Sequence, residues 1–275
     1  MANQIDEDRS ITILGGGNLG RALALGWTSS GSIEAGSIVI TRRRLDKLDD
    51  LARRGFGVGS DNSAAVRKAA TVILAVQPQQ ISVLMSEIAD AVDPKRHQII
   101  SLVSGVSIGQ IWEMLGKPVP VVRAMPNTAV AIGESMTCLC ASDGAEEALG
   151  VARDLFDLVG RTLVVPEEMI IPATALCACG VAFFLRAVRA ASQGGIEIGF
   201  HPEEALLLAA QTAKGSSSLI LGNTSHPESQ IDHVTTPRGC TIAGLNEMEH
   251  QGFSSAMIKG ILLSAEKARG LYSTD

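Results

Sequence analysis

The sequence predicts an α/β architecture: a parallel sheet covered on both faces, followed by an all-α half. Three observations carry this. Short apolar strand candidates alternate with helical patterns up to about Val165. A glycine-rich turn joins the first strand to the first helix. From Pro166 onward no long strand-like run remains, and apolar residues recur at helical intervals. The expected division is therefore 1–165 and 166–275, and 275 residues suffice for two domains.

The first strand is Ile11–Leu14, running into Gly15-Gly16-Gly17-Asn18-Leu19-Gly20 and a helix from Arg21. In such a Gly-x-Gly-x-x-Gly turn the first glycine permits the bend and the second lets the backbone approach a pyrophosphate. The third allows close helix–strand packing, and the helix N-terminus offers unpaired N–H groups. This defines a Rossmann-type dinucleotide-binding start. Ser37–Thr41 is the second strand, ending where an NAD site would place a carboxylate against the ribose. Thr41-Arg42-Arg43-Arg44 stands there instead, with Asp46 as the first acid. Guanidinium groups bind phosphate with paired, charge-assisted hydrogen bonds, so NADPH is expected, with NADH bound more weakly.

Further strands are expected at Thr71–Val76, Gln98–Val103 and Val119–Arg123, with Met136–Ala141 and Thr162–Val165 at the far edge. Helical patterns occupy Leu45–Arg54, Gln79–Val92, Ile108–Leu115 and Glu146–Leu158. In the second half, helices are expected over Pro172–Gln193, Pro202–Leu221, Thr241–His250 and Ser254–Leu271. Turn signals separate them at Gly194-Gly195, at 222–227 and at Gly252. The run Ala205–Ala210 is apolar nearly all round, which implies burial against a partner subunit and hence an obligate homodimer.

Composition excludes several functions. A net charge of −6 with 3% aromatic residues argues against nucleic acid as a partner. Met1–Ser10 shows no apolar signal region, and the uncharged stretch Met169–Leu185 is shorter than a bilayer span and contains Pro172 and Gly180. A buried helix, no membrane association and a cytoplasmic location are the expectations. Five cysteines (138, 140, 177, 179, 240) and five histidines lack metal-ligand spacing. Reduced thiols and no metal are expected.

A site in such a sheet lies outside the carboxyl ends of the strands. Ala75-Val76-Gln77-Pro78, Ser104-Gly105 and Arg123-Ala124-Met125-Pro126-Asn127-Thr128 fall there. In the helical half, Thr236-Pro237 before an apolar periodic run reads as a helix start, with Thr236 as N-cap and Gly239 leaving the backbone accessible to an anion.

These segments together resemble the pyrroline-5-carboxylate reductase family. The likeness runs from the glycine loop to the last helix. It is strongest at Val234-Thr235-Thr236-Pro237-Arg238-Gly239-Cys240-Thr241-Ile242-Ala243-Gly244-Leu245. Ala209-Ala210-Gln211-Thr212 and His226-Pro227 match as well. The resemblance implies reduction of 1-pyrroline-5-carboxylate to proline, the substrate being a cyclic imine carboxylate. It implies a carboxylate cradle at Gly239, Cys240 and Thr241 beside Thr236, with the Thr241 hydroxyl as catalytic partner of the ring nitrogen. It places the coenzyme on Leu14, Gly15, Gly16, Gly17, Asn18, Leu19, Thr41, Arg42, Arg43, Asn62, Ala75, Val76, Gln77, Pro78, Ser104 and Gly105. Dimers, or larger assemblies of dimers, are implied too.

The chain departs from the family where Cys177-Ala178-Cys179-Gly180-Val181-Ala182-Phe183 replaces a Ser-Gly-Ser-Gly-Pro-Ala-Tyr stretch. Gln77 stands for a lysine, and Arg238 and Cys240 for a glycine and a threonine. Two alternatives stay open at this point: reduction of another cyclic imine or a carbonyl, and a non-catalytic NADP-binding homologue. β-Hydroxyacid dehydrogenases use a lysine on the long helix, and no lysine lies between Lys117 and Lys214.

Overall fold

The computed structural model describes residues 10–222 and 226–270. By contacts the chain falls into two compact units: one reaches Ala178 and takes in the chain from Ser264 on, and the other is Cys179–Leu263.

In the first unit, β1 (Ile11–Leu14) leads into α1 (Asn18–Ser29) and β2 (Ile38–Thr41) into α2 (Asp49–Arg53). Next come β3 (Gly57–Gly59), α3 (Asn62–Val66), β4 (Thr71–Leu74), α4 (Ile81–Ile88), β5 (Gln98–Ser101) and α5 (Ile108–Leu115). The unit continues through β6 (Val121–Met125), β7 (Ser135–Ala141), α6 (Glu146–Asp157), β8 (Gly160–Val164) and α7 (Ile170–Ala173). The eight strands order as β3-β2-β1-β4-β5-β6-β7-β8. All pair in parallel except β6 with β7. That reversal departs from the all-parallel expectation. The link between β6 and β7 is mostly a 3-10 turn over Thr128–Ile132, too short for the crossover a parallel neighbour needs.

Alternate residues of each central strand enter opposite cores, as a doubly covered sheet requires. Leu14, Val72, Leu74, Ile99 and Val121 pack with α3, α4 and α5 on one face. Ile13, Ile73, Ile100 and Val122 pack with α1, α2 and α6 on the other. Trp27 of α1 is fully buried, meets Phe156 edge-on at 6.0 Å and donates its indole N–H to Leu155 O at 2.7 Å. Truncating it to alanine removes a core anchor worth about 3–5 kcal/mol.

The helix expected at Ile108–Leu115 forms with those bounds because both ends are specified. Ser107 and Gln110 make a reciprocal capping box, and Gly116 ends the helix at φ 68. The pattern at Leu45–Arg54 instead splits into a 3-10 turn (Leu45–Leu48) and the short α2. β3 and α3 were not anticipated.

His97 is buried at the turn before β5. Its Nδ1 accepts from Asp93 N–H at 2.7 Å, which leaves Nε2–H to donate to Val66 O at 3.1 Å. Burial, and then the charge of Arg96, lower its pKa below the usual 6.5. The folded chain therefore resists a proton that the unfolded chain accepts, so stability rises with pH through this window. It is complete above the unfolded value and lost as pH falls from 6.5 toward the folded value. Urea midpoints for wild type should drop between pH 7.5 and pH 5.5. His97→Gln should be less stable at pH 7.5 by about 1–3 kcal/mol, with that drop reduced. An undiminished drop in the variant would exonerate His97.

The second unit holds α8 (Gly180–Glu197), α9 (Pro202–Gly222), α10 (Pro227–Val234) and α11 (Cys240–His250), and α12 (Phe253–Arg269) begins in it. The expected single helix Pro172–Gln193 is α7, a π turn over Thr174–Cys179, and α8. With the turn at Glu167–Met169 these make a helical path, Glu167–Glu197, long and apolar enough by length and composition to cross a membrane. The uncharged core of this path looked shorter because the helix runs on past Arg186 and Arg189. Nor is it buried within the chain, since Leu176, Phe184 and Leu185 are all more than half exposed.

Gly194-Gly195 is not a turn. It lies inside α8, and a Cβ on Gly195 would meet the Ala205 Cβ at 3.0 Å, so the glycine serves close packing of α8 on α9. The reversal falls at Gly199, φ 110. Gly252 does turn the chain, at φ 80. Of the predicted 222–227 loop, residues 223–225 lie outside the described residues, and α10 beyond it was missed. Among the described residues of this unit only Gly180, Ser192 and Ala205 are buried.

Candidate active site

The sheet order puts the ends of β1, β2, β4 and β5 side by side, and the glycine loop crosses them. Its three glycines do different work. Gly15 sits at φ 120, and a Cβ there would lie 2.4 Å from Ala75 O and 3.1 Å from Val76 Cγ1. Gly20 backs onto Gly15 O, 2.3 Å from where its Cβ would be. A Cβ on Gly17 would meet nothing within 4 Å. Gly17 is the N-cap of α1 and makes no side-chain cap, so the first N–H groups of that helix have no intrahelical partner. Open space over unpaired N–H groups at a helix N-terminus fits a pyrophosphate.

Thr41 is 1% exposed, and its hydroxyl donates inward to Asn62 Oδ1 at 2.6 Å. Its main-chain oxygen accepts from Gly15 N (3.2 Å) and Gly16 N (2.8 Å), which fixes the loop. Asn62 in turn donates to Glu87 Oε2 at 2.7 Å. Thr41 and Asn62 thus brace the crevice with side chains directed at each other, and Glu87 completes a relay that sequence reasoning missed. No local motif links residues 41, 62 and 87; the packing of α3 against β2 and α4 brings them together.

The arginines are not equivalent. Arg42 folds back, donating from Nη1 to Gly16 O at 2.8 Å. Arg44 pairs with Asp46 at 3.0 Å, which holds the Asp46 carboxyl below the usual carboxylate range, first through the hydrogen bond. Arg43 is exposed and makes no ion pair or hydrogen bond among the described residues. It is the cation available to a phosphate at this edge.

Ala75 N–H donates to Leu14 O at 2.9 Å, which brings Ala75-Val76 under the glycine loop, while Gln77 caps the 3-10 turn Pro78–Gln80. Ser104 and Gly105, the latter at φ 80, follow β5. The Ser104 hydroxyl lies 4.0 Å from Met125 Sδ. Behind them Arg123, buried in β6, donates to Glu167 Oε1 at 3.0 Å, and the same oxygen accepts from Ile108 N at 2.8 Å. Leu14 itself is fully buried and contributes backbone alone.

In the second unit, the expected N-cap at Thr236 is displaced. Gly239 N–H donates to Thr236 O at 2.9 Å, closing a tight turn with Arg238 at φ 60, so the helix cannot begin there. α11 starts at Cys240, with Gly239 as an extended N-cap that has no side-chain bond. A Cβ on Gly239 would fall 2.4 Å from Thr236 Oγ1. Cys240 and Thr241 are therefore the first two helical residues, and their N–H groups are among those a helix leaves unpaired. Cys240 is exposed and Thr241 half-buried. Gly239, Cys240 and Thr241 are thus consecutive at the start of α11, where the Cys240 and Thr241 N–H groups lack intrahelical partners and the Gly239 N–H is taken up by Thr236 O.

The first unit is thus built as the coenzyme domain of a pyridine-nucleotide oxidoreductase. Accordingly, residues 10–105 match the family model described as NADP oxidoreductase coenzyme F420-dependent. Residues 167–271 match the model described as pyrroline-5-carboxylate reductase dimerisation. A pyrroline-5-carboxylate reductase 2 of Dictyostelium discoideum is 47% identical, covering 98% of this chain and 95% of that protein. A pyrroline-5-carboxylate reductase 1 of the same organism is 51% identical over 97% of this chain, which spans 50% of that protein's length. A pyrroline-5-carboxylate reductase structure from Coxiella burnetii matches with a TM-score of 0.89 at 29% identity, covering 97% of this chain and 100% of that one. The chain belongs to the pyrroline-5-carboxylate reductase family. The family model for the helical half begins at 167, and the contact boundary lies at Ala178, because α7 packs on β6 and β7.

Proposed function

We propose that this chain reduces 1-pyrroline-5-carboxylate to proline with NADPH, as a subunit of a homo-oligomer. The observation that carries this is the helix start at Cys240, which lacks a side-chain cap and is preceded by a strained turn, within a family of that activity. NADPH, when bound, supplies the hydride to the carbon of the C=N bond. The N–H groups of Cys240 and Thr241, at the first turn of α11, hold the substrate carboxylate, helped by the positive end of the helix; the Gly239 N–H is already given to Thr236 O. The Thr241 hydroxyl meets the ring nitrogen. As a weak acid it orients the ring and relays a proton, and most of the acceleration comes from placing two reactants. Gly17 and the start of α1 take the pyrophosphate. Arg43 takes the 2′-phosphate, and Arg42 holds the loop.

These separate roles for the arginines can be measured. Arg43→Ala should weaken NADPH about tenfold, the loss of one charge-assisted bond of about 1.5 kcal/mol, and leave NADH alone. Arg42→Ala should weaken both, because the Gly16 carbonyl loses its donor. Equal losses for both coenzymes in Arg43→Ala would undo the phosphate assignment.

The second unit buries too little of itself to stand alone. Leu185, Leu207, Leu221, Ile258 and Leu262 are each more than half exposed. We read this surface as the contact between copies rather than a membrane face, first as a dimer and then as larger assemblies of dimers. Five free thiols suit the cytoplasm. Light scattering should show no stable 28.7 kDa species. The activity is tested by NADPH consumption with racemic 1-pyrroline-5-carboxylate, beside NADH and other cyclic imines. A rate no higher than that without substrate would refute it.

A further inference from the structure

Four of the five cysteines lie in two short segments of the first unit and its exit. Cys138 and Cys140 are buried neighbours on one face of β7, both in the same apolar core. Cys177 and Cys179 are half-buried in the π turn Thr174–Cys179. One pair is in contact: Cys138 Sγ and Cys177 Sγ are 3.9 Å apart and share a hydrogen bond. Both backbones are held. Cys138 sits between strands, opposite Met125 of β6 and Leu163 of β8. The Cys177 carbonyl accepts from Asn127 Nδ2 at 3.3 Å.

We propose that Cys138 and Cys177 form a reversible disulfide when the protein meets a hydroperoxide, so that the pair is a redox-modification site. Cys177 is the attacking thiol because it is the less buried of the two. The hydrogen bond from Cys138 favours its thiolate and brings its pKa down to about 7, while the same bond and burial push the Cys138 thiol up. Cys140, two residues along, is disfavoured as a partner: burial raises its thiol to about 11, and the thiol that bonds with Cys177 is that of Cys138.

The chemistry balances in two steps. The Cys177 thiolate attacks one oxygen of the hydroperoxide; the S–O bond forms, the O–O bond breaks, and the leaving alkoxide takes a proton and departs as the alcohol. Cys177 is then a sulfenic acid. The Cys138 sulfur attacks the Cys177 sulfur; the S–S bond forms, the S–O bond breaks, and hydroxide leaves as water with the Cys138 proton. Two thiols lose two electrons in all, and the peroxide is reduced to an alcohol and water. Closing 3.9 Å to bonding distance asks for a side-chain adjustment at Cys177, on the π turn, where irregular backbone departs from the rigid strand.

The test uses the full chain, reduced with dithiothreitol and then titrated with hydrogen peroxide, quenched in acid, alkylated and mapped by mass spectrometry. The expected product is a Cys138–Cys177 linked peptide pair, two hydrogens lighter, which dithiothreitol restores. In Cys138→Ala, Cys177 should stop at a dimedone-reactive sulfenic acid or pass on to the sulfinic acid. In Cys177→Ser, Cys138 should stay alkylatable. The proposal is overturned if Cys177 goes to sulfinic acid in the wild type without a crosslink, or if it pairs instead with Cys140 or Cys179. It is equally overturned if both thiols remain alkylatable at a peroxide dose that oxidises the exposed Cys240. Mapping the wild type keeps the proposal testable even where a variant folds poorly.

Discussion

Gly17→Ala should leave the protein folded, with Tm lowered by no more than about 4 °C, yet weaken NADPH at least tenfold. The added Cβ meets nothing in the protein, and φ −80 suits any residue, so the cost to folding is about that of a poorer helix cap, roughly 1 kcal/mol. On the proposed assignment, the same methyl occupies the space that the pyrophosphate would fill. Gly15→Ala should behave in the opposite way. Its Cβ would sit 2.4 Å from Ala75 O at φ 120, so crowding and backbone strain add to about 2–5 kcal/mol. That is a large share of the stability of an ordinary domain. Thermal melts and a fluorescence titration with NADPH separate the two. Unchanged coenzyme affinity in Gly17→Ala would move the pyrophosphate elsewhere.

Thr241→Ala should lower kcat about 100-fold, at the low end for a proton-handling group because a hydroxyl is a weak acid. In the proposed mechanism the hydroxyl serves the substrate ring and not the coenzyme, so Kd for NADPH should not change. Thr241→Ser keeps the hydroxyl and should recover most of the rate. A wild-type rate in Thr241→Ala would strike the hydroxyl from the mechanism, leaving the backbone cradle to act alone.

Most of the sheet was legible because each central strand is a short apolar run that ends where a turn residue begins. β3 escaped notice because Gly57-Val58-Gly59 carries almost no apolar signal; its place is set by pairing with β2. Gly194-Gly195 misled for a related reason. A glycine pair reads as a turn in one dimension, while here one of the two serves the near approach of α9. The steric part of each glycine after β1 was readable singly, since the bend and the close packing are local. The inward rotation of the Thr41 hydroxyl was not, because its partner lies 21 residues away on another element. At α11, Thr-Pro looks like a helix start, and only the positive φ of Arg238 moves that start to Cys240.

The thinly filled interior of Cys179–Leu263 makes thermal resistance depend on how much protein is in the tube. With the exposed leucines covered by another copy, as proposed, each tenfold dilution favours dissociation by about 1.4 kcal/mol, and the midpoint of a melt should slide downward with it. A cell making little of this chain would then hold a less durable protein than one making much.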